Sequence, residues 1–341
     1  MQRNFILTDI MKTGFHVELE DFIKMNTLKE QQFDMTGEYY TLHNYDLDSY
    51  DRRFAIIDVR QPNDRLKDNK MFHTELKKRC ELLHSQGFVF IKSNPWESFE
   101  NIKNTPQHPE IEIEHVQWTG GVSWFWYYMY RKHQGKSYNF DHTNKKYDFL
   151  YLNKMHRPHR VKLFNKLLAK GILDNSLYTK WPERKLPPEY ELPWAQDYPF
   201  RGMDQDIFEK PYNDTAFSIV SESNDNDTDV FMTEKIWKPI IAKQMFVVHG
   251  NYLYLQKLRE LGFKTFNSYF EEVYDLDKDP SLRIDTIVDV CDRLRDAPWQ
   301  DMYLHSKALR QHNYDNFFNK DKLSLAINDT LNLFLKFADS R

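Results

Sequence analysis

Glycine is scarce in this chain, with ten among 341 residues. No GxGxxG follows an apolar run and no GxxxxGK[ST] occurs, so neither a dinucleotide fingerprint nor a P-loop is present. GxSxG, HExxH and paired CxxC motifs are missing as well. With Cys80 and Cys291 as its two cysteines, the chain is not expected to carry a disulfide scaffold or a structural zinc site. No window approaches the ~18 apolar residues of a membrane span. The N-terminal MQRNFILTDIMKTGF is too polar for a signal peptide. A cytoplasmic protein is expected. Charge of one sign is lacking too: the formal net charge is -4, so nothing global argues for nucleic acid.

Aromatic residues are plentiful, with 25 Phe and 20 Tyr, and serve either cores or stacking surfaces. The length exceeds what one core usually serves, so two domains are expected. Two series of strand and helix can be read. The first holds FAIIDVR (54–60), a helix from about 69 to 86, FVFIKS (88–93), IEIEHVQW (111–118) and a helix from about 122 to 133. The second holds YDFLYLN (147–153), a helix over 159–171, AFSIVSES (216–223), a helix over 233–244, MFVVH (245–249) and a helix over 251–262. Short apolar runs alternating with helices point to parallel sheets covered on both faces. The fold class expected is therefore α/β with two Rossmann-like domains. An N-terminal domain spans 1–143, a second domain 144–318, and a C-terminal helix in 319–341 crosses back onto the first. Residues 181–214, with six prolines, read as a surface excursion.

Two helix mouths carry the chemistry. KMHRPHR after the first strand of the second series crowds Lys154, His156, Arg157, His159 and Arg160 at a helix start. Cations there oppose the helix dipole unless an anion joins them. FMTEKIWKPIIAKQMFVVHG places Thr233, Glu234 and Lys235 at the next mouth, ten residues beyond Ser221, Glu222 and Ser223. Both follow strand ends, where ligands bind in open α/β sheets. Together they suit a nucleotide pyrophosphate. The alternative is that Lys154 and Arg157 face water and Arg160 pairs with an acid.

The run FSIVSES…FMTEKIWKPIIAKQMFVVHG resembles the donor-binding segment of the family 10 α1,3-fucosyltransferases, in which Glu-Asn-Ser precedes a Thr-Glu-Lys helix and a strand ending in Gly. LNKMHRPHRVKLFNKL is similar to that family's pyrophosphate-contacting helix. The resemblance covers about residues 147–270. It implies the GT-B architecture, two Rossmann-like domains with an interdomain cleft. It further implies that Glu234 and Lys235 hold donor sugar and phosphates, with Arg160 or Arg157 on the pyrophosphate. Glu222 and Ser223 match the start of the signature, with Thr233 opening its core. The Asn of Glu-Asn-Ser is missing, and SNDNDTD intervenes. LGFKTF (261–266) points to the small glycosyltransferases of phages and bacteria.

The function implied is an inverting glycosyl transfer from a UDP- or GDP-linked sugar to a hydroxyl, with no other cofactor. DND and DTD in 225–229 imitate a DxD metal motif, but Asp and Asn are also turn formers. The cationic mouths supply the countercharge, so no metal is expected. An inverting transferase needs a general base, for which Asp58, Glu97 and His115 are candidates in the first domain. For the acceptor, residues 131–170 hold eleven Lys or Arg against Asp141 and Asp148, just after SWFWYYMYRK. Cations and rings together grip nucleic acid, so a hydroxymethylated base in phage DNA is one acceptor. A glycan is the other. Trp118, Gly120, Gly121, Trp124, Lys132 and Lys136 are the candidate acceptor residues. The aromatics could instead fill a core. The rival functions are an inactive nucleotide-sugar- or glycan-binding module and a nucleotide-dependent sugar epimerase or other Rossmann enzyme, which would want a glycine-rich first turn that is not here.

Overall fold

The computed structural model describes residues 3–9, 31–36, 46–50, 52–58, 70–93, 115–118, 121–153, 157–179, 190, 206–225 and 230–326. The chain divides into two compact units, residues 1–123 with 324–341 and residues 124–323. The protein is α/β, and every strand pairing among the described residues is parallel.

In the first unit, strands β1 (Arg3–Asp9), β2 (Gln31–Thr36), β3 (Arg52–Asp58), β4 (Val89–Ser93) and β5 (His115–Trp118) form a sheet ordered β2-β1-β3-β4-β5. Helix α1 (Lys70–Ser85) leads into β4 and buries Cys80 and Leu83. Arg53 ties β3 to both neighbouring loops, donating to the carbonyls of Leu47 at 3.0 Å and Gln86 at 2.7 Å and pairing with Asp48 at 2.8 Å. Helix α2 (Gly121–His133) follows β5.

The second unit is built on β6 (Tyr147–Leu152), β7 (Ser176–Thr179), β8 (Thr215–Ser221) and β9 (Met245–His249), ordered β7-β6-β8-β9. Its helices are α3 (Pro158–Ala169), α4 (Glu209–Asp214), α5 (Glu234–Ile241), α6 (Tyr254–Glu260), α7 (Pro280–Arg295) and α8 (Trp299–Phe317). All residues of β8 and β9 are buried, as strands covered on both faces must be. In β6 the alternation is direct. Tyr151 stacks on Phe164 of α3 and Phe149 packs beside Phe217, while Leu150 joins Tyr212 in a separate apolar cluster. Pro158 presets the first turn of α3, and Gly171, at φ +70°, follows its end.

Within the run SWFWYYMYRK, most of residues 125–130 are core. Trp126 stacks on Trp237 at 5.6 Å, meets Phe263 at 5.1 Å and donates its indole N–H to the Phe317 carbonyl at 2.9 Å. Phe125, Tyr127, Met129 and Tyr130 are buried too. This packing belongs to the second unit, and the units divide at 123/124. The C-terminal helix expected in 319–341 falls largely outside the described residues.

Candidate functional site

Strand order reverses between β6 and β8, because the chain continues from β6 outward to β7 and from β8 the other way to β9. Ligands in open α/β sheets bind in the crevice beyond the strand ends at such a point. The two mouths singled out in the sequence lie there: α3 follows β6, and α5 follows β8.

The mouth of α5 is held by one acid. Glu222 is wholly buried, and its Oε1 accepts from the Thr233 amide at 3.1 Å and the Tyr254 hydroxyl at 2.7 Å. Its Oε2 accepts from the Thr233 hydroxyl at 2.6 Å. Thr233 in turn caps α5, accepting from the Lys235 amide at 3.4 Å. Tyr254 reaches Glu222 because Leu253, in the left-handed region at φ 60°, turns the chain into α6. The Asp275 carboxylate fixes that turn, accepting from the amides of Leu255 at 2.7 Å and Gln256 at 2.9 Å.

Beside this cap lies a cleft with ≈ 620 Å³ of empty space, open solvent included, lined by Leu150 and Leu152 of β6, Ser218–Ser221 of β8 and Glu234, Lys235, Lys238 and Pro239 of α5. Lys235 Nζ donates to Glu234 Oε1 at 2.7 Å and to the Thr233 hydroxyl at 2.9 Å. Burial works to raise the Glu234 pKa, but Lys235 and Lys238 outweigh it and hold the carboxyl below its usual range. The ammonium group thus stands at the helix mouth on the cleft wall, where an anionic ligand gains from both charge and dipole.

Arg160 lies deeper than its expected role requires. It is 4 % exposed and donates through Nε at 3.1 Å and Nη2 at 2.9 Å to the Glu222 carbonyl. Arg157, the N-cap residue of α3, is exposed. Ser223 is buried. His159 also meets the Glu222 carbonyl, with Nε2 at 3.0 Å. Asp225, the first acid of the DxD-like run, stands between His159 and the buried His249 at 3.6 and 3.7 Å. Burial pushes both imidazoles below their ordinary pKa, and nearby Arg160 adds to it for each. Among the described residues, no group of three His, Cys, Asp or Glu is placed to hold a metal ion. Asp227 and Asp229 lie outside them.

In the first unit, Asp58 closes β3 level with Ser93 and with Trp118, the last residue of β5. His115 sits level with Phe90 and Ala55, at the other end of β5. Three residues of strand put it ~10 Å from the edge where ligands bind. Gly121 opens α2, while Glu97 and Gly120 lie outside the described residues, as do the side chains of Asp58, His115, Trp118 and Trp124.

The basic stretch does not form a continuous cationic face. Lys132 pairs with Asp206 at 2.9 Å and Lys146 with Asp214 at 3.3 Å, while Lys166 pairs with Asp285. Lys170 lies 3.9 Å from both Asp289 and Asp292, and Lys162 donates to Ser281. Lys145 donates to the carbonyls of Asp141, Tyr212 and Asn213, and burial brings its pKa down to about 7. Lys136 and Arg157 are exposed. Lys238, Tyr254 and His249 join the site without having been expected there. Lys238 stands one helical turn from Glu234, a signal the sequence does carry.

No family model matches the chain, and neither does any curated protein. Among solved structures it is similar to a putative UDP-N-acetylglucosamine 2-epimerase from Listeria monocytogenes, with 8 % identity, a TM-score of 0.40 and coverage of 99 % of this chain and 98 % of that one. A likeness at that level leaves the reading of the site to its own residues.

Proposed function

We propose that the protein is a nucleotide-sugar-dependent glycosyltransferase of GT-B type, with a donor site akin to that of the family 10 fucosyltransferases. The observation that carries this reading is Lys235, held at the capped mouth of α5 and lining, with Lys238 and Glu234, a cleft at the β6/β8 switch point. In this reading the two lysines and the helix dipole take the diphosphate, and Glu234 faces the donor sugar. The leaving diphosphate needs countercharge as its bond to the sugar breaks, and these groups provide it without a metal. The general base is carried by the first unit, with Asp58 at the C-terminal edge of its sheet as candidate. The internal pairing of the basic stretch favours a glycan hydroxyl over DNA as acceptor.

A thermal-shift screen with UDP-, GDP-, CMP- and dTDP-sugars tests the reading. One nucleotide class is expected to raise the melting temperature, and Lys235→Ala to remove that rise. No shift with any of them, or a shift untouched by both Lys235→Ala and Lys238→Ala, overturns it.

A further inference from the structure

The carboxylate of Asp225 faces His159 Nδ1 at 3.6 Å and His249 Nε2 at 3.7 Å, both beyond hydrogen-bond reach. His159 Nε2 meets the Glu222 carbonyl at 3.0 Å. A carbonyl only accepts, so Nε2 carries the proton and Nδ1 of the neutral ring turns a lone pair towards Asp225. Two acceptors therefore oppose one another, which accounts for their separation. His249 Nε2 is fully buried with no hydrogen-bond partner, and its other nitrogen lies 3.3 Å from the Ser221 hydroxyl. The two rings meet edge to face at 5.4 Å.

The surroundings are cationic. Arg157 and Arg160 act on His159, and Arg160 and Arg283 act on His249. Arg160 bonds the Glu222 carbonyl, and Arg283 bonds those of Asp225, Gly250 and Asp277. The Glu222 carboxylate is taken up by Thr233 and Tyr254. That leaves Asp225, with a side chain 22 % exposed, as the negative group set between the two imidazoles among the described residues. Three guanidinium groups make the place unfit for a metal cation and fit for an anion.

We propose that His159 and His249 form a subsite for a phosphate oxyanion, and that the Asp225 carboxylate occupies it in the unliganded chain. An incoming oxyanion displaces the aspartate side chain to solvent. A proton from solvent joins His159 Nδ1, so that both nitrogens of that ring donate, and no bond between heavy atoms changes. The inference deepens the nucleotide-sugar reading, because Glu222 links this subsite, through its carbonyl, to the α5 cap, through its carboxylate.

Calorimetry with inorganic pyrophosphate on the full chain, near pH ~6 and ~8 in buffers of different ionisation enthalpy, tests it. Asp225→Asn keeps the shape and removes the competing charge, and it should bind pyrophosphate about tenfold tighter than the wild type. Binding should take up a proton, and Asp225→Asn with His159→Gln should lose both the gain and the uptake. Asp225→Ala is the second variant, with the same expected direction. Equal affinity in the wild type and both Asp225 variants overturns the proposal, and so does a gain that persists without His159. Tighter pyrophosphate binding in a chain that binds no nucleotide sugar would keep the subsite and remove the donor reading. A nucleotide-sugar shift that depends on Lys235, without any gain in the Asp225 variants, would do the reverse.

Discussion

Gly250 shows how one missing side chain holds the site together. A Cβ there would lie 2.6 Å from Tyr254 Cδ2, closer than such contacts allow, and the ring is pinned through its hydroxyl to Glu222. Gly250→Ala is therefore expected to destabilise the protein by ~1–3 kcal/mol, as overpacking does. Tyr254→Phe leaves the packing and removes one donor from a buried carboxylate, for about 1.5–3 kcal/mol. Urea denaturation of both variants checks this, and an unchanged Gly250→Ala would mean that the ring is not confined. Lys235 and Arg160 should separate by the same measurement. Lys235→Ala is expected to weaken donor binding by roughly 1.5–3 kcal/mol, since charge-assisted bonds to phosphate are the strong kind, and to cost less stability than Arg160→Ala because Lys238 remains beside Glu234. Arg160→Ala removes a buried guanidinium from the Glu222 carbonyl, so its loss should appear in the denaturation curve first.

At the scale of elements, β8 and β9 were legible in sequence because they are buried on both faces and read as apolar runs. YDFLYL, AFSIVS and MFVVH all form strands, and the helices between them lie where their periodicity puts them. β2 and β7 escaped for the opposite reason. In QQFDMT of β2 only Phe33 and Met35 are apolar, and SLYT of β7 has four residues; both are edges, which tolerate short polar sequences. Helix α7 carried no expectation, although Ile284, Ile287, Val288 and Cys291 are buried at helical spacing. At the site, Thr233 and Lys235 were legible because a cap is a local motif. The seating of Arg160 and Asp225 was not, since it depends on the Glu222 carbonyl and on His249, far away in the chain. The segment after α2 adds a pH signature. Burial beside Lys145 and Arg310 holds His142 down to about 3, with Nε2 at 2.9 Å from the Ala242 carbonyl. The unfolded chain takes a proton below about 6.5 that the folded chain refuses, so this stability is complete above that pH. It should be lost progressively as the pH falls towards about 3. Melting temperatures across that window should fall less steeply in His142→Gln; parallel curves would show that the histidine does not set the slope.

Across the whole molecule, what matters about charge is where each cation's partner lies. Residues 131–170 look like a nucleic-acid grip when counted along the chain, with eleven cations against two acids. The fold sets α7 against α3, so Lys166 and Lys170 face Asp285, Asp289 and Asp292, while Asp206 and Asp214 take Lys132 and Lys146. A cation that already has a carboxylate releases few counterions on meeting a phosphate. Lys136 and Arg157 stand exposed at the ends of α2 and α3, and each adds about -0.9 to a log–log salt slope. These two should therefore contribute about -2 to the salt dependence of binding to duplex DNA. Replacing Asp285, Asp289 and Asp292 together by Asn frees Lys166 and Lys170 and should steepen the slope by up to about 1.8. Filter binding of the wild type and this triple variant across a salt series measures both quantities. A wild-type slope of about -3 to -4 that collapses on Lys132→Glu with Lys146→Glu would mean that the internal pairs open onto DNA. That result would return DNA as the acceptor; a shallow slope that steepens only in the Asp→Asn variant leaves the glycan hydroxyl.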